Sequence, residues 1–238
     1  MNIQTFSTNK MRSYKNMPDL IAEALKEAIL HGQFRGGVQL KQDEIAKQFD
    51  VSLIPVREAL IQLEAGKLVT CIRNKGALVT TLSLKEMKMI FELRKILEIG
   101  SIARIATNEI DAQIDKMKYL INKMENEEDI FSFSRYDRLF HELICDSACN
   151  AQLSDTYRNI FVTVERYLMY IYHLVESRKS DIEEHREIVR LLEIGDRESL
   201  TDKLTEHIEG IEVRFIAYIE ANYTQEPLDW NEFLPFYK

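Results

Sequence analysis

The chain has 238 residues, 45% of them hydrophobic and 29% charged, with a net charge of −8. Those proportions exclude the disordered and fibrous classes, the length suits two domains of roughly 100–200 residues each, and eight glycines and four prolines leave little room for a loop-rich β architecture. The charge is uneven: residues 1–80 carry eleven Lys+Arg against eight Asp+Glu, while residues 81–238 carry twenty against thirty-one, so a mildly basic piece precedes an acidic body.

Residues 1–16 form an N-terminal arm, and a first compact domain is expected over residues 17–81. From Met17 to His31, Leu20, Ile21, Ala24, Leu25, Ala28 and Ile29 recur at helical spacing, with Pro18 in the first turn and Gly32 closing the helix. A second helix is expected over residues 42–49, burying Ile45, Ala46 and Phe49. Ser52 is a good N-cap for a third, which runs to Ala65 and stops at Gly66. Two β-rich runs, Leu68–Ile72 and Ala77–Thr81, flank Arg73-Asn74-Lys75-Gly76, where asparagine and glycine supply the positive φ of a tight hairpin loop. Three helices and a hairpin, with a short turn between the second and third helices, make a winged helix-turn-helix layout. Topology alone leaves open a small α+β domain that binds nothing.

From Ser83 the pattern is helical throughout. Ser83-Leu84-Lys85-Glu86 reads as a capping box opening a helix to about Thr107. Further helices are expected at 109–125, 129–146, 150–174, 180–194 and 196–222, broken at Asn126, Asn150, Ser177 and Gly195. The fold class is mainly α: a winged helix-turn-helix domain followed by an all-helical antiparallel bundle over residues 83–222, and bundles place ligand sites between facing helices. The aromatic tail, residues 223–238, is too short to fold alone.

The chemistry-bearing constellation is Asp137, His141, His185 and His207. Asp137 and His141 are spaced i, i+4 and leave one helix face together, and the other two histidines lie on later helices. Three imidazoles and a carboxylate suit zinc, nickel or manganese, with positions left for a small carboxylate. The alternative is four ordinary half-buried helix residues. Catalytic signatures are absent: no Gly-x-Ser-x-Gly, no Gly-rich phosphate loop, no His-Glu-x-x-His. A metal-dependent enzyme acting on a small acid in the bundle would need a general base such as Glu142 or Glu184, and Cys145, one turn from His141, is a remote nucleophile. Cys71, Cys145 and Cys149 show no Cys-x-x-Cys spacing, as expected of free thiols in a reducing compartment. No apolar run reaches the roughly 18–20 residues of a membrane span, and residues 1–15 lack a signal-peptide core. A cytoplasmic protein without a membrane partner is expected.

The stretch from Leu40 to Val69, with its core Val51-Ser52-x-x-Pro55-Val56-Arg57-Glu58-Ala59-Leu60, resembles the DNA-binding domain of GntR-family transcription regulators. Glu92-Leu93-Arg94-x-x-Leu97-Glu98, Asp137-x-x-Phe140-His141, Glu184-His185-x-x-Ile188 with Gly195-Asp196, and His207 resemble the FadR-like subgroup with its helical FCD ligand domain. The resemblance implies a homodimer that binds a double-stranded operator and responds to a small carboxylate or sugar acid, most members being repressors. It implies the metal ligands Asp137, His141, His185 and His207, with Arg94 as a partner for the acid or, equally, as an ion-pair residue. On the DNA side it implies Ser52 and Arg57 at the recognition helix and Gly76 at the wing tip with Asn74 and Lys75 beside it; Lys41 is expected, apart from the resemblance, as a compensating backbone contact. Leu53 and Asp43 stand where the family commonly carries basic residues, so cationic contacts of better-known members are missing here.

Overall fold

In a computed structural model of the chain, the structure describes residues 16–73, 75–105, 110–172 and 175–222. The chain divides into two compact units, the first ending at Ser83 and the second beginning at Leu84.

In the first unit, α1 (Met17–Leu30) buries Ile21, Ala24, Leu25, Ala28 and Ile29 as the periodicity requires, and Gly32 (φ 69°) turns the chain out of it. Asp50, left-handed at φ 54°, makes the turn between α2 (Gln42–Phe49) and α3 (Leu53–Ala65). Phe49, expected in the core, is only half-buried. Ser52 holds the N-cap position of α3, but its hydroxyl makes no capping bond.

The hairpin forms as β2 (Val69–Ile72) and β3 (Gly76–Val79), in antiparallel register from Val69 opposite Val79 to Ile72 opposite Gly76. Its loop residue Asn74 lies outside the described residues. A third strand escapes the sequence reading: β1 (Gln39–Leu40) pairs with β3 on the side away from β2. Two residues are too few to show an alternation. Gly76, expected at the wing tip, is instead the buried first residue of β3, where β1 gives it a structural task. Its φ is 104°, and a Cβ there would lie 1.9 Å from the backbone oxygen of Leu40. Gly76→Ala is therefore expected to destabilise the sheet by about 3–5 kcal/mol, strain and overpacking combined. Hydrogen exchange at the β2 and β3 amides checks it, and wild-type protection in the variant would refute the contact.

Among the described residues, six helices make the second unit: α4 (Leu84–Ile102), α5 (Asp111–Glu125), α6 (Ile130–Asp146), α7 (Ala151–Ile171), α8 (Val175–Ile194) and α9 (Arg197–Asn222). Asn126 ends α5, Asn150 caps α7 by accepting the Leu153 N–H, and Gly195 (φ 71°) closes α8. Expected boundaries move at three helices, α7 ending at Ile171 and not at 174. α4 stops at Ile102, where Arg104 and Ile105 donate to the carbonyls of Ser101 and Ile102 in tight turns. α8 begins at Val175, so Ser177 is no break; it is buried inside the helix, where packing outweighs serine's small helical penalty.

The helices pack as neighbours α5–α6, α6–α7, α4–α7, α4–α9, α5–α8 and α8–α9. Phe91, Phe133, Phe140, Tyr157, Phe161, Leu168 and Phe215 are almost wholly enclosed. The core is not uniformly apolar. α4 turns Arg94, Glu98 and Ser101 inward beside Met87, Ile90 and Phe91, and α6 turns in Asp137 and His141. Buried charges are costly unless paired or used, so these positions mark the site.

Candidate metal centre and DNA-reading face

Of the four residues singled out from spacing, His141, His185 and His207 bring ring nitrogens within 4.8 Å of one another, and Asp137 lies beside His141 and His185. Asp137, His141, His185 and His207 are each at most 1% exposed, although α6, α8 and α9 contribute them separately. The Nε2 atom of His141 lies 3.2 Å from Nε2 of His185 and 3.3 Å from Nε2 of His207. Oδ1 of Asp137 is 3.7 Å from the His141 Nε2 and 3.5 Å from the His185 Nε2.

What lies behind the rings fixes their chemistry. Nδ1 of His141 donates to Glu98 Oε2 at 2.8 Å, and Nδ1 of His207 donates to Glu184 Oε2 at 2.5 Å. A ring that gives its Nδ1 proton to a carboxylate presents a bare lone pair at Nε2, the usual arrangement behind a metal-bound histidine. Burial holds His141 and His185 well below the ordinary imidazole range, with Arg94 adding to the effect on His141 and the neighbouring histidines on His185. Burial also lowers His207, against the pull of Glu184. His141 and His207 thus turn bare Nε2 atoms toward the Nε2 of His185, whose Nδ1 has no partner among the described residues to fix its tautomer. Burial pushes Asp137 up to about 6, while Arg94 and the Tyr172 hydroxyl pull the other way. Neither Asp137 oxygen has a well-formed hydrogen bond among the described residues. The orphaned carboxylate and the three-nitrogen, one-oxygen donor set fit a borderline divalent ion.

Arg94 is fully buried. Its Nε donates to Glu98 Oε1 at 2.7 Å, and its guanidinium sits 5.4 Å from the centre of the Phe161 ring. Both Nη atoms lack a partner among the described residues. Of the two readings of Arg94, the ion pair within α4 is present, and both Nη atoms stay outside it. Glu98 is the junction, accepting from Arg94, from the Tyr157 hydroxyl at 2.9 Å and from His141. The i, i+4 spacing of Glu98 from Arg94 is the sequence signal for this junction.

Asp181 was missed altogether. It is fully buried, and it stands four residues before His185, repeating the spacing of Asp137 and His141. Of the two carboxylates considered as bases, Glu142 pairs with Arg138 at 2.9 Å, and Glu184 accepts from His207 within the cluster. Cys145 is buried, which pushes its thiol far above the usual range.

In the first unit, Ser52 and Arg57 are exposed at the start of α3, and Arg57 Nε donates to Gln42 Oε1 at 3.0 Å. Lys41 precedes α2 and pairs with Glu44 at 2.8 Å. Lys75 is exposed in the hairpin turn, where its carbonyl accepts from Gln39. The solvent face of α3 also carries Ile54 and Ile61, 66% and 61% exposed, with Glu58 between them. Apolar side chains thus flank Arg57 on the face away from the core.

Residues 89–210 match the FCD domain, and residues 19–79 match the bacterial regulatory proteins of the gntR family. The chain is similar to the gluconate operon transcriptional repressor of Bacillus licheniformis, 23% identical over 200 residues covering 81% of this chain and 82% of that one. It is similar also to the HTH-type transcriptional repressor RspR of Escherichia coli strain K12, 26% identical over 216 residues covering 88% and 91%. Among solved structures, E. coli McbR/YncC aligns with a TM-score of 0.72 at 21% identity, over 86% of this chain and all of that one, which bears on the fold. With both parts matched, the chain belongs to the GntR family of DNA-binding transcription regulators and carries an FCD domain as its second unit.

Proposed function

We propose that this protein is a repressor whose grip on its operator is set by a small carboxylate or sugar acid bound beside a divalent metal in the helical unit. The observation that carries the reading is the convergence of three imidazole Nε2 atoms and Asp137 next to a buried guanidinium with two unused donors. Held by Asp137, His141, His185 and His207, a zinc, nickel or manganese ion would supply positive charge and open positions for carboxylate oxygens. Glu98 and Glu184 orient the rings from behind. Arg94 offers its paired Nη atoms as a fork for a carboxylate, and the buried surroundings strengthen that contact by excluding water.

The names of the similar regulators support repression, and acid binding is expected to release DNA. Coupling between two such sites typically amounts to about 1–3 kcal/mol, or roughly five- to 150-fold in affinity. As a homodimer, the protein would set two copies of α3 about one helical turn apart on a pseudo-palindromic operator. Arg57 reads a base edge or clamps a phosphate there, while Ser52, Lys41 and Lys75, with Asn74 next to it in sequence, contact the backbone.

The test is a mobility-shift titration on a duplex selected from a random library. Arg57→Ala is expected to lower affinity by about five- to 150-fold, equivalent to a bidentate base contact of about 1–3 kcal/mol, with the helical content unchanged. Zinc-loaded wild-type protein is expected to release the same duplex when gluconate or another acid of a sugar-acid and short-carboxylate panel is added. Unchanged binding by Arg57→Ala refutes the docking, and no release across the panel refutes the sensing.

A further inference from the structure

One strip of the first unit is apolar where it meets solvent. Ile54 and Ile61 are largely exposed, and with Arg57 and Glu58 they fall at i, i+3, i+4 and i+7 on one face of α3. That face lies opposite the buried stripe of Val56, Ala59, Leu60 and Leu63. The flanks of the helix are already engaged: Gln62 donates to Asp19 Oδ1 at 2.8 Å, and Glu64 accepts from the Cys71 N–H at 2.7 Å. A single exposed isoleucine needs no explanation. Here, however, two of them line the outward strip of the helix that a DNA-binding unit offers its partner.

The strip is ill suited to phosphate. Isoleucine has neither donor nor acceptor, and Glu58 carries the same sign of charge as the DNA backbone. Base edges suit it better. In the major groove a carboxylate can accept from the cytosine amino group, an arginine can span guanine O6 and N7, and the thymine 5-methyl group is the apolar feature on display. Nε of Arg57 is taken by Gln42, so a base contact falls to its Nη atoms. Ile54 is the second residue of α3, and recognition helices turn their N-terminal residues to the base edges. It precedes Arg57 by about 4.5 Å along the helix axis, and stacked bases are about 3.4 Å apart. The two side chains thus serve base pairs one or two steps from each other. Ile61 lies about 10.5 Å farther along the axis, away from that end.

We infer that Ile54 determines operator specificity by seating its side chain on the 5-methyl group of a thymine, within two base pairs of the one nearest Arg57. The inference rests on the proposed docking of α3 and adds to it a contact that is both apolar and base-specific. Removing that methyl group is expected to weaken binding about four-fold, the worth of one buried methyl-sized group at about 0.8 kcal/mol.

The full chain is titrated by mobility shift against the duplex selected from a random library, and against versions in which each thymine in turn is replaced by deoxyuridine, which lacks only the methyl group. Wild-type protein is expected to lose about four-fold in affinity at one thymine of a half-site, as the buried methyl group predicts. Ile54→Ala is expected to bind the thymine and deoxyuridine duplexes alike. Ile54→Val, which keeps a branched apolar tip, and Ile61→Ala are expected to preserve the difference. Melting temperatures of the variants exclude misfolding as the cause. A methyl group that acted only through the stiffness of the duplex would count equally in every variant, so the pattern isolates the contact. Tolerance of deoxyuridine at every position, a difference that survives Ile54→Ala, or one that Ile61→Ala removes equally overturns the assignment and leaves α3 docked. A selection that yields no duplex bound by the wild type overturns the docking and this inference with it.

Discussion

His141→Ala is expected to abolish stoichiometric metal binding, with affinity for zinc falling at least 100-fold. His141 is the middle of the cluster: its Nε2 faces those of both other histidines, and its Nδ1 is fixed by Glu98. Replacing a residue that merely orients a ligand already costs about 10–100-fold in metal affinity, so removal of a ligand is the larger loss. The readout is elemental analysis of protein purified without chelator or affinity-metal exposure, followed by zinc titration. A ligand that binds only the folded state stabilises it by about 4.1 kcal/mol at 1,000 times its Kd. Wild-type protein is therefore expected to melt at higher temperature as zinc is added, and the variant to show no such rise. A wild-type protein that contains less than a few tenths of an equivalent and takes up neither zinc nor nickel would reduce the histidines to packing.

Arg94→Met is the second large effect. The substitution keeps much of the volume but leaves Glu98 in the core without its cation, and breaking one side of a buried pair costs about 3–5 kcal/mol. Urea unfolding of the full chain measures it. Arg94→Lys is expected to recover part of the stability but not acid binding. A lysine supplies one compact charge where arginine offers a planar fork with two spare nitrogens. If the methionine variant is as stable as wild type, the balance of charge around Glu98 has been assigned to the wrong partner.

The sequence was legible where a physical rule acts over short spacing. Apolar periodicity located α1 to α3 and the six bundle helices, and glycines or asparagines marked most of their ends. The i, i+4 rule put Asp137 and His141 on one face, and the structure then brought in His185 and His207. β1 was invisible because a two-residue strand owes its existence to β3 and not to its own pattern. Ser177 misled because polar residues are poor boundary signals once packing has enclosed them. Glu98 and Asp181 were in plain view as charged residues on long helices. Only tertiary packing shows that they point inward, since a charge on a helix is ordinarily solvated. Of the DNA-facing set, the exposure of Ser52 and Arg57 agrees with contact, whereas Gly76 turns out to be demanded by the Leu40 carbonyl as well.

The carboxylate of Glu98 touches Arg94 through one oxygen and His141 through the other. An acid drawn onto the guanidinium and an ion gathered by the imidazoles would pull on opposite ends of one rigid group. By thermodynamic reciprocity, whatever the ion does to the affinity for the acid, the acid must do to the affinity for the ion. Were each to strengthen the other's binding, such a regulator would respond fully only when metal and acid are both present.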